Sequence, residues 1–93
     1  MLTAVTMWTL TVSSQRQLRM FAGCADSAAA ARRRGLRFVL ALIRLGGAEC
    51  SLYDLRVDDH VAAVVQTGTD EFGLPDHDGA AEVLTRALAP YPL

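Results

Sequence analysis

The clearest periodic stretch of the chain is Leu36-Arg37-Phe38-Val39-Leu40-Ala41-Leu42-Ile43-Arg44-Leu45-Gly46-Gly47. Leu36, Val39, Leu40 and Ile43 recur at helical spacing, and Arg37 and Arg44 fall together on the opposite face with Ala41 between them. On a strand the two arginines would point to opposite sides of a sheet. The spacing predicts a helix over residues 36–45, with Gly46-Gly47 supplying the left-handed residue that commonly ends one.

Ahead of this helix, residues 3–12 place β-branched and aromatic side chains in near alternation, which predicts a first strand. Ser13-Ser14 offers a helix N-cap, and Leu18, Phe21, Ala22, Ala25 and Ala29 follow at helical spacing, predicting a helix over residues 14–34. Gly23 weakens that helix by about 1 kcal/mol relative to alanine. Gly35 separates it from the next, although the apolar stripe runs on from Leu18 to Ile43, so one long kinked helix is the alternative. Residues 49–57 read as a strand whose parity changes midway, from Cys50 and Leu52 to Tyr53, Leu55 and Val57. A bulge or strong twist near Leu52 would reconcile the two sets. Asp58-Asp59 makes a turn into a hairpin partner over residues 61–68. After a polar loop over residues 69–77, Asp76 or Asp78 caps a last helix carrying Ala81, Val83, Leu84, Ala87 and Leu88, which Pro90 stops.

The element order is thus strand, helix, helix, strand, strand, helix. This predicts a single α/β (α+β) domain over residues 1–93, a ferredoxin-like two-layer sandwich with an antiparallel sheet and helices on one face. Three strands would leave an edge and one face open, and Trp8, Leu10 and Val12 with Tyr53, Leu55 and Val57 offer more apolar surface than two helices readily bury. A homodimer or a complex with a partner protein is therefore expected. The competing expectation is that the helix over residues 14–34 folds across the second face and seals the monomer.

Composition adds limits. Ninety-three residues with 52% hydrophobic content support one core. All nine basic residues are arginine, which with the alanine-rich middle suggests a GC-rich coding sequence of a bacterium or a bacterial virus. A net charge of -1 gives no global attraction to nucleic acid or to an anionic membrane. Residues 1–12 carry four threonines and no leading basic residue, unlike a signal peptide, and no apolar run approaches the ~20 residues that span a bilayer. A cytoplasmic location follows as an expectation, and with it reduced, buried thiols at Cys24 and Cys50. The charge is two-sided: seven arginines between Arg16 and Arg44 face Asp26 alone, while nine carboxylates from Glu49 to Glu82 face only Arg56. Arg33, Arg34, Arg37 and Arg44 on the basic side, with Tyr53, Asp58 and Asp59 on the other, are the candidate binding residues, because complementary charge orients association. Arg32-Arg33-Arg34 lacks the interleaved aromatics of single-strand nucleic-acid binders, so nucleic acid is not an expected partner.

No constellation points to catalysis, a cofactor or a metal. Cys24, Cys50, His60 and His77 are spaced unlike the short ligand pairs of zinc sites. Asp76-His77-Asp78-Gly79 lacks the remaining ligands of a calcium loop, and helix capping suits it better. Cys50 and His60 could pair as thiolate and imidazole across a hairpin, but a packed cysteine and a solvated histidine fit their positions better.

The passage Leu36-x-x-Val39-Leu40-x-Leu42-Ile43-x-Leu45-Gly46-Gly47-Ala48-Glu49-Cys50-Ser51-Leu52-Tyr53-x-Leu55 resembles the helix-glycine-strand segment of ACT domains, particularly those of acetolactate synthase regulatory subunits. The resemblance lies mainly in residues 36–57. It implies a ferredoxin-like fold that pairs through sheets or helices, binds an amino acid at the interface and regulates an attached or partner enzyme. The expected function is a noncatalytic regulatory or adaptor module. The alternative is a small protein-binding inhibitor or accessory factor, of the phage-encoded kind, acting through its basic helix and acidic strand-loop face.

Overall fold

The computed structural model describes residues 5–89. Among these, four strands and two helices follow in the order β1 (Thr6–Ser13), β2 (Leu18–Ala25), α1 (Ala28–Leu45), β3 (Leu52–Val57), β4 (His60–Gln66) and α2 (His77–Leu88). The strands form one antiparallel sheet in the order β2-β1-β3-β4, and both helices lie on one face of it. This is the expected α+β two-layer sandwich of ferredoxin-like type, with a ββαββα order. Because β2 and β3 are each antiparallel to β1, they run parallel to one another, and α1 is the crossover that joins them over β1. The start of the expected first strand at Thr3 and the stop at Pro90 lie outside the described residues.

The main correction concerns residues 14–34, which form a hairpin strand and the start of α1 instead of a helix. The Ser14 hydroxyl, expected to cap a helix, accepts from Gln17 N at 3.3 Å in a four-residue turn closed by Ser14 N donating to the Gln17 carbonyl at 2.9 Å. Thereafter β2 runs alongside β1, pairing Trp8 with Gly23 and Leu10 with Phe21. Gly23 weakens a helix but suits this strand: a Cβ there would stand 2.5 Å from the Trp8 ring. Long-range pairing overrides the local helical spacing.

Helix α1 begins instead at Ser27, whose side chain accepts from Ala30 N at 3.1 Å. It runs unbroken through Gly35 to Leu45, so that glycine separates nothing. Its role is packing, since a Cβ at Gly35 would meet Leu55 Cδ1 at 2.5 Å, and the missing side chain lets the helix lie close against β3. Leu36, Val39 and Ile43 are buried and Arg37 and Arg44 exposed, as the periodicity predicts. Gly46, at φ 73°, ends the helix.

The second half follows the sequence more closely. Asp58 and Asp59, at φ 49° and 64°, make the two-residue turn between Val57 and His60. The register irregularity lies between Leu55 and Arg56, not near Leu52. Leu52 stays on the open side of the sheet while Tyr53 and Leu55 face the helices, so the parity change is a true alternation of faces. Asp76 caps α2 by accepting from Gly79 N at 3.0 Å.

Trp8, Leu10, Val12, Tyr53 and Leu55 form the sheet side of the core under Leu36, Val39 and Ile43 of α1 and Ala80 and Leu84 of α2. Phe38 stacks tilted between Trp8 and Phe21, at centroid distances of 5.4 and 5.0 Å. The apolar set expected to lie uncovered is therefore the core itself. The face left open is the opposite one.

Candidate functional site

Strand alternation places Met7, Thr9 and Thr11 of β1 on the side away from the helices, and the ladder register aligns their neighbours there. Thr9 lies beside Ala22 and Arg56, Thr11 beside Met20 and Asp54, and Met7 beside Cys24. In turn Asp54 pairs with Val64 and Arg56 with Val61, which completes the face across β4. Met7, Leu18, Met20, Leu52, Val61 and Val64 are exposed at 38 to 71% of their surface. The charged strand residues here are Asp54 and Arg56, which pair with each other at 3.4 Å. The outer strands present apolar side chains, and the inner pair is polar through its middle, at Thr9, Thr11, Asp54 and Arg56, with Met7 and Leu52 at its two ends.

The sequence-derived candidates are dispersed. Arg37 and Arg44 project from the outer side of α1, Arg33 is half-buried, and Arg34 donates from Nη1 to the Cys24 carbonyl at 3.0 Å, tying the helix to β2. Asp58 is held against β1 by accepting from Met7 N at 3.3 Å while its own N–H donates to the Met7 carbonyl at 2.9 Å. Asp59 is exposed at the same turn. Tyr53 is 5% exposed and packs in the core, with only its edge reaching the cleft between the β1–β2 turn and the helix ends. Of the two free thiols, Cys50 is half-buried and Cys24 is exposed on the open face, contrary to the expected burial of both. Among the described residues no three His, Cys, Asp or Glu side chains gather as metal ligands. No helix of the described residues is long and apolar enough to cross a membrane.

A polar cleft of about 330 Å³ opens where the β1–β2 turn, the end of α1 and the start of α2 converge, lined by Ser14, Arg16, Glu49, Ser51, Tyr53 and His77. Arg16 Nε lies 3.6 Å from Glu49 Oε1, and His77 Nε2 donates to the Gly47 carbonyl at 3.0 Å. Glu49 Oε2 and His77 Nδ1 have no protein partner but are sealed from solvent, so a molecule in the cleft could not reach either without side-chain movement. Elsewhere, the Asp70 carboxylate accepts from Phe72 N and Leu74 N, both at 2.9 Å, and holds a loop that projects those two side chains.

The open face was not evident in the sequence, because it depends on assigning β2 as a strand. Its one signal is the second parity of β2, where Leu18, Met20, Ala22 and Cys24 alternate with Arg19, Phe21, Gly23 and Ala25. Comparison of the chain with protein-family models, with curated proteins and with solved structures finds no match.

Proposed function

We propose that the protein is a noncatalytic regulatory or adaptor module that works by pressing the open face of its sheet against a protein surface. One observation carries this reading: six large apolar side chains stand exposed on one side of a sheet whose other side is sealed by helices. Large apolar side chains gathered on one exposed side of a sheet are characteristic of interaction surfaces. The ACT-like passage over residues 36–57 supports the same reading, since that family pairs through its secondary-structure surfaces and regulates an enzyme.

Two narrower forms of the reading have support of their own. An amino-acid ligand would find the exposed Arg16 guanidinium at the polar cleft, where the ligand's carboxylate could pair with it. An inhibitor or accessory factor would use the exposed arginines of α1 and the Asp58-Asp59 turn.

Cys24 gives a direct test of docking. In a Cys50→Ser background, maleimide labelling inside expressing cells is expected to be slower than in the same chain carrying Met20→Asp and Val64→Asp. Equal labelling rates would remove the open face as a docking surface. For the ligand form, thermal-shift screening against amino acids is decisive, because a bound ligand at about 100 times its Kd stabilises by about 2.7 kcal/mol.

A further inference from the structure

Resting on that docking reading, we infer that the surface covering the open face is the same face of a second copy of this chain, the two sheets stacked about a two-fold axis. The symmetry of the pattern selects this occupant. Across the order β2-β1-β3-β4 the outer strands present Leu18 and Met20 on one side and Val61 and Val64 on the other, while the middle of the inner strands presents Thr9, Thr11, Asp54 and Arg56, with Met7 and Leu52 at its opposite ends. Across the middle of the sheet, apolar, polar, polar, apolar reads the same in both directions. A two-fold axis in the interface either carries β2 over the partner's β4 or sets each strand over its own copy. Under both operations apolar edges meet apolar edges and the central stripe meets itself, as an isologous contact requires.

The charges obey the same rule. Asp54 and Arg56 are two residues apart on β3, of opposite sign, with side chains 29% and 48% exposed. A symmetry-related copy brings the same two charges and the threonine hydroxyls to the stripe, so every charge enters the contact beside a group that can satisfy it. That condition matters because an unpaired buried charge is strongly destabilising. The size also fits. Four strands about 4.8 Å apart and eight residues rising about 3.3 Å each give a footprint of roughly 500 Å² per copy. Two footprints total about 1,000 Å², the least a biological interface is expected to clear.

Sedimentation velocity of the full chain from about 1 to about 100 µM tests the inference, since association depends on concentration. The expected result is a species of twice the 10.0 kDa chain mass. Met20→Asp combined with Val64→Asp is expected to sediment at the chain mass with an unchanged circular-dichroism spectrum. Asp54→Arg and Arg56→Asp are each expected to weaken pairing at least about tenfold, and an equimolar mixture of the two to restore it, because complementary charges then face one another. A wild-type chain that stays at its own mass throughout would overturn self-pairing. Protection of Cys24 in cells would then leave the docking reading intact, with a different protein as the occupant. A dimer indifferent to both charge substitutions would also overturn the inference and move the contact off this face, for example to the free edge of β2.

Discussion

Leu10 and Met20 are diagonal neighbours in one ladder, Leu10 opposite Phe21 and Met20 opposite Thr11, yet the first is 0% and the second 71% exposed. Both are large and apolar, but Leu10, on an inner strand, faces the helices, and Met20, on the edge strand, faces the open side. On the helix side, Trp8, Leu10, Val12, Tyr53 and Leu55 are locked beneath α1 and α2, at a contact close enough to require glycine at residue 35. The open side carries similar chemistry at its edges, where the described residues leave Leu18, Met20, Val61 and Val64 more than half exposed. Side chains on the first face hold the chain folded. Those on the second contribute little until another surface arrives, so substitutions on the two faces should separate stability from association.

The largest effect should come from the helix side. Leu55 is 1% exposed and touches the α1 backbone at Gly35, so Leu55→Ala removes buried methyl groups where a close-packed helix cannot easily collapse into the space. A loss of about 3 kcal/mol is expected, read as the midpoint shift in urea unfolding. Met20→Ala, one ladder position from Leu10, should change the stability of the single chain by no more than about 0.5 kcal/mol. Equal losses at the two positions would mean that the open face is already packed within the chain.

Next in size is Gly35→Ala, where the sign matters more than the magnitude. If the glycine merely interrupted a helix, alanine would stabilise by about 1 kcal/mol through propensity. With a Cβ 2.5 Å from Leu55 Cδ1, the helix or the leucine must shift, and overpacking of this kind costs about 1–3 kcal/mol. A net loss of about 1 kcal/mol is therefore expected in the same unfolding measurement. Asp76→Ala should follow at about 1 kcal/mol, because Gly79 N loses the carboxylate that now accepts from it at 3.0 Å.

The same two-faced character explains what could be read from the sequence. Features fixed by local chemistry were legible: the helical stripe through Leu36, Val39 and Ile43, the glycine after Leu45, the Asp58-Asp59 turn and the Asp76 cap. So was the two-layer class. Strand β2 was not, because alternation is recognisable only when one parity is polar, and here Leu18, Met20, Ala22 and Cys24 fill the outward parity. The composition that leaves an apolar open face is thus the composition that hid the strand. Gly35 misled for a related reason. A close approach depends on Leu55, twenty positions away, and a glycine in a helical pattern looks locally like a break.

The smallest expected effect concerns the outer face of α1 and sharpens the comparison to a choice between two interfaces. Arg37 and Arg44 point away from the core on the helix layer, which the core separates from the open side of the sheet. Arg44 also lies in the last turn, where a cation interacts favourably with the helix dipole. Arg37→Glu combined with Arg44→Glu should therefore cost about 0.5 kcal/mol, mostly at the helix end, and leave the sedimentation of the chain unchanged. Pairing through the open face requires that independence, because neither arginine could touch the partner. If the double variant instead sediments as a monomer while Met20→Asp does not, the contact lies on the basic helix, and the Asp58-Asp59 turn of another copy or an acidic partner becomes its natural counterpart. The two variants thus assign the interface to one layer of the molecule or the other.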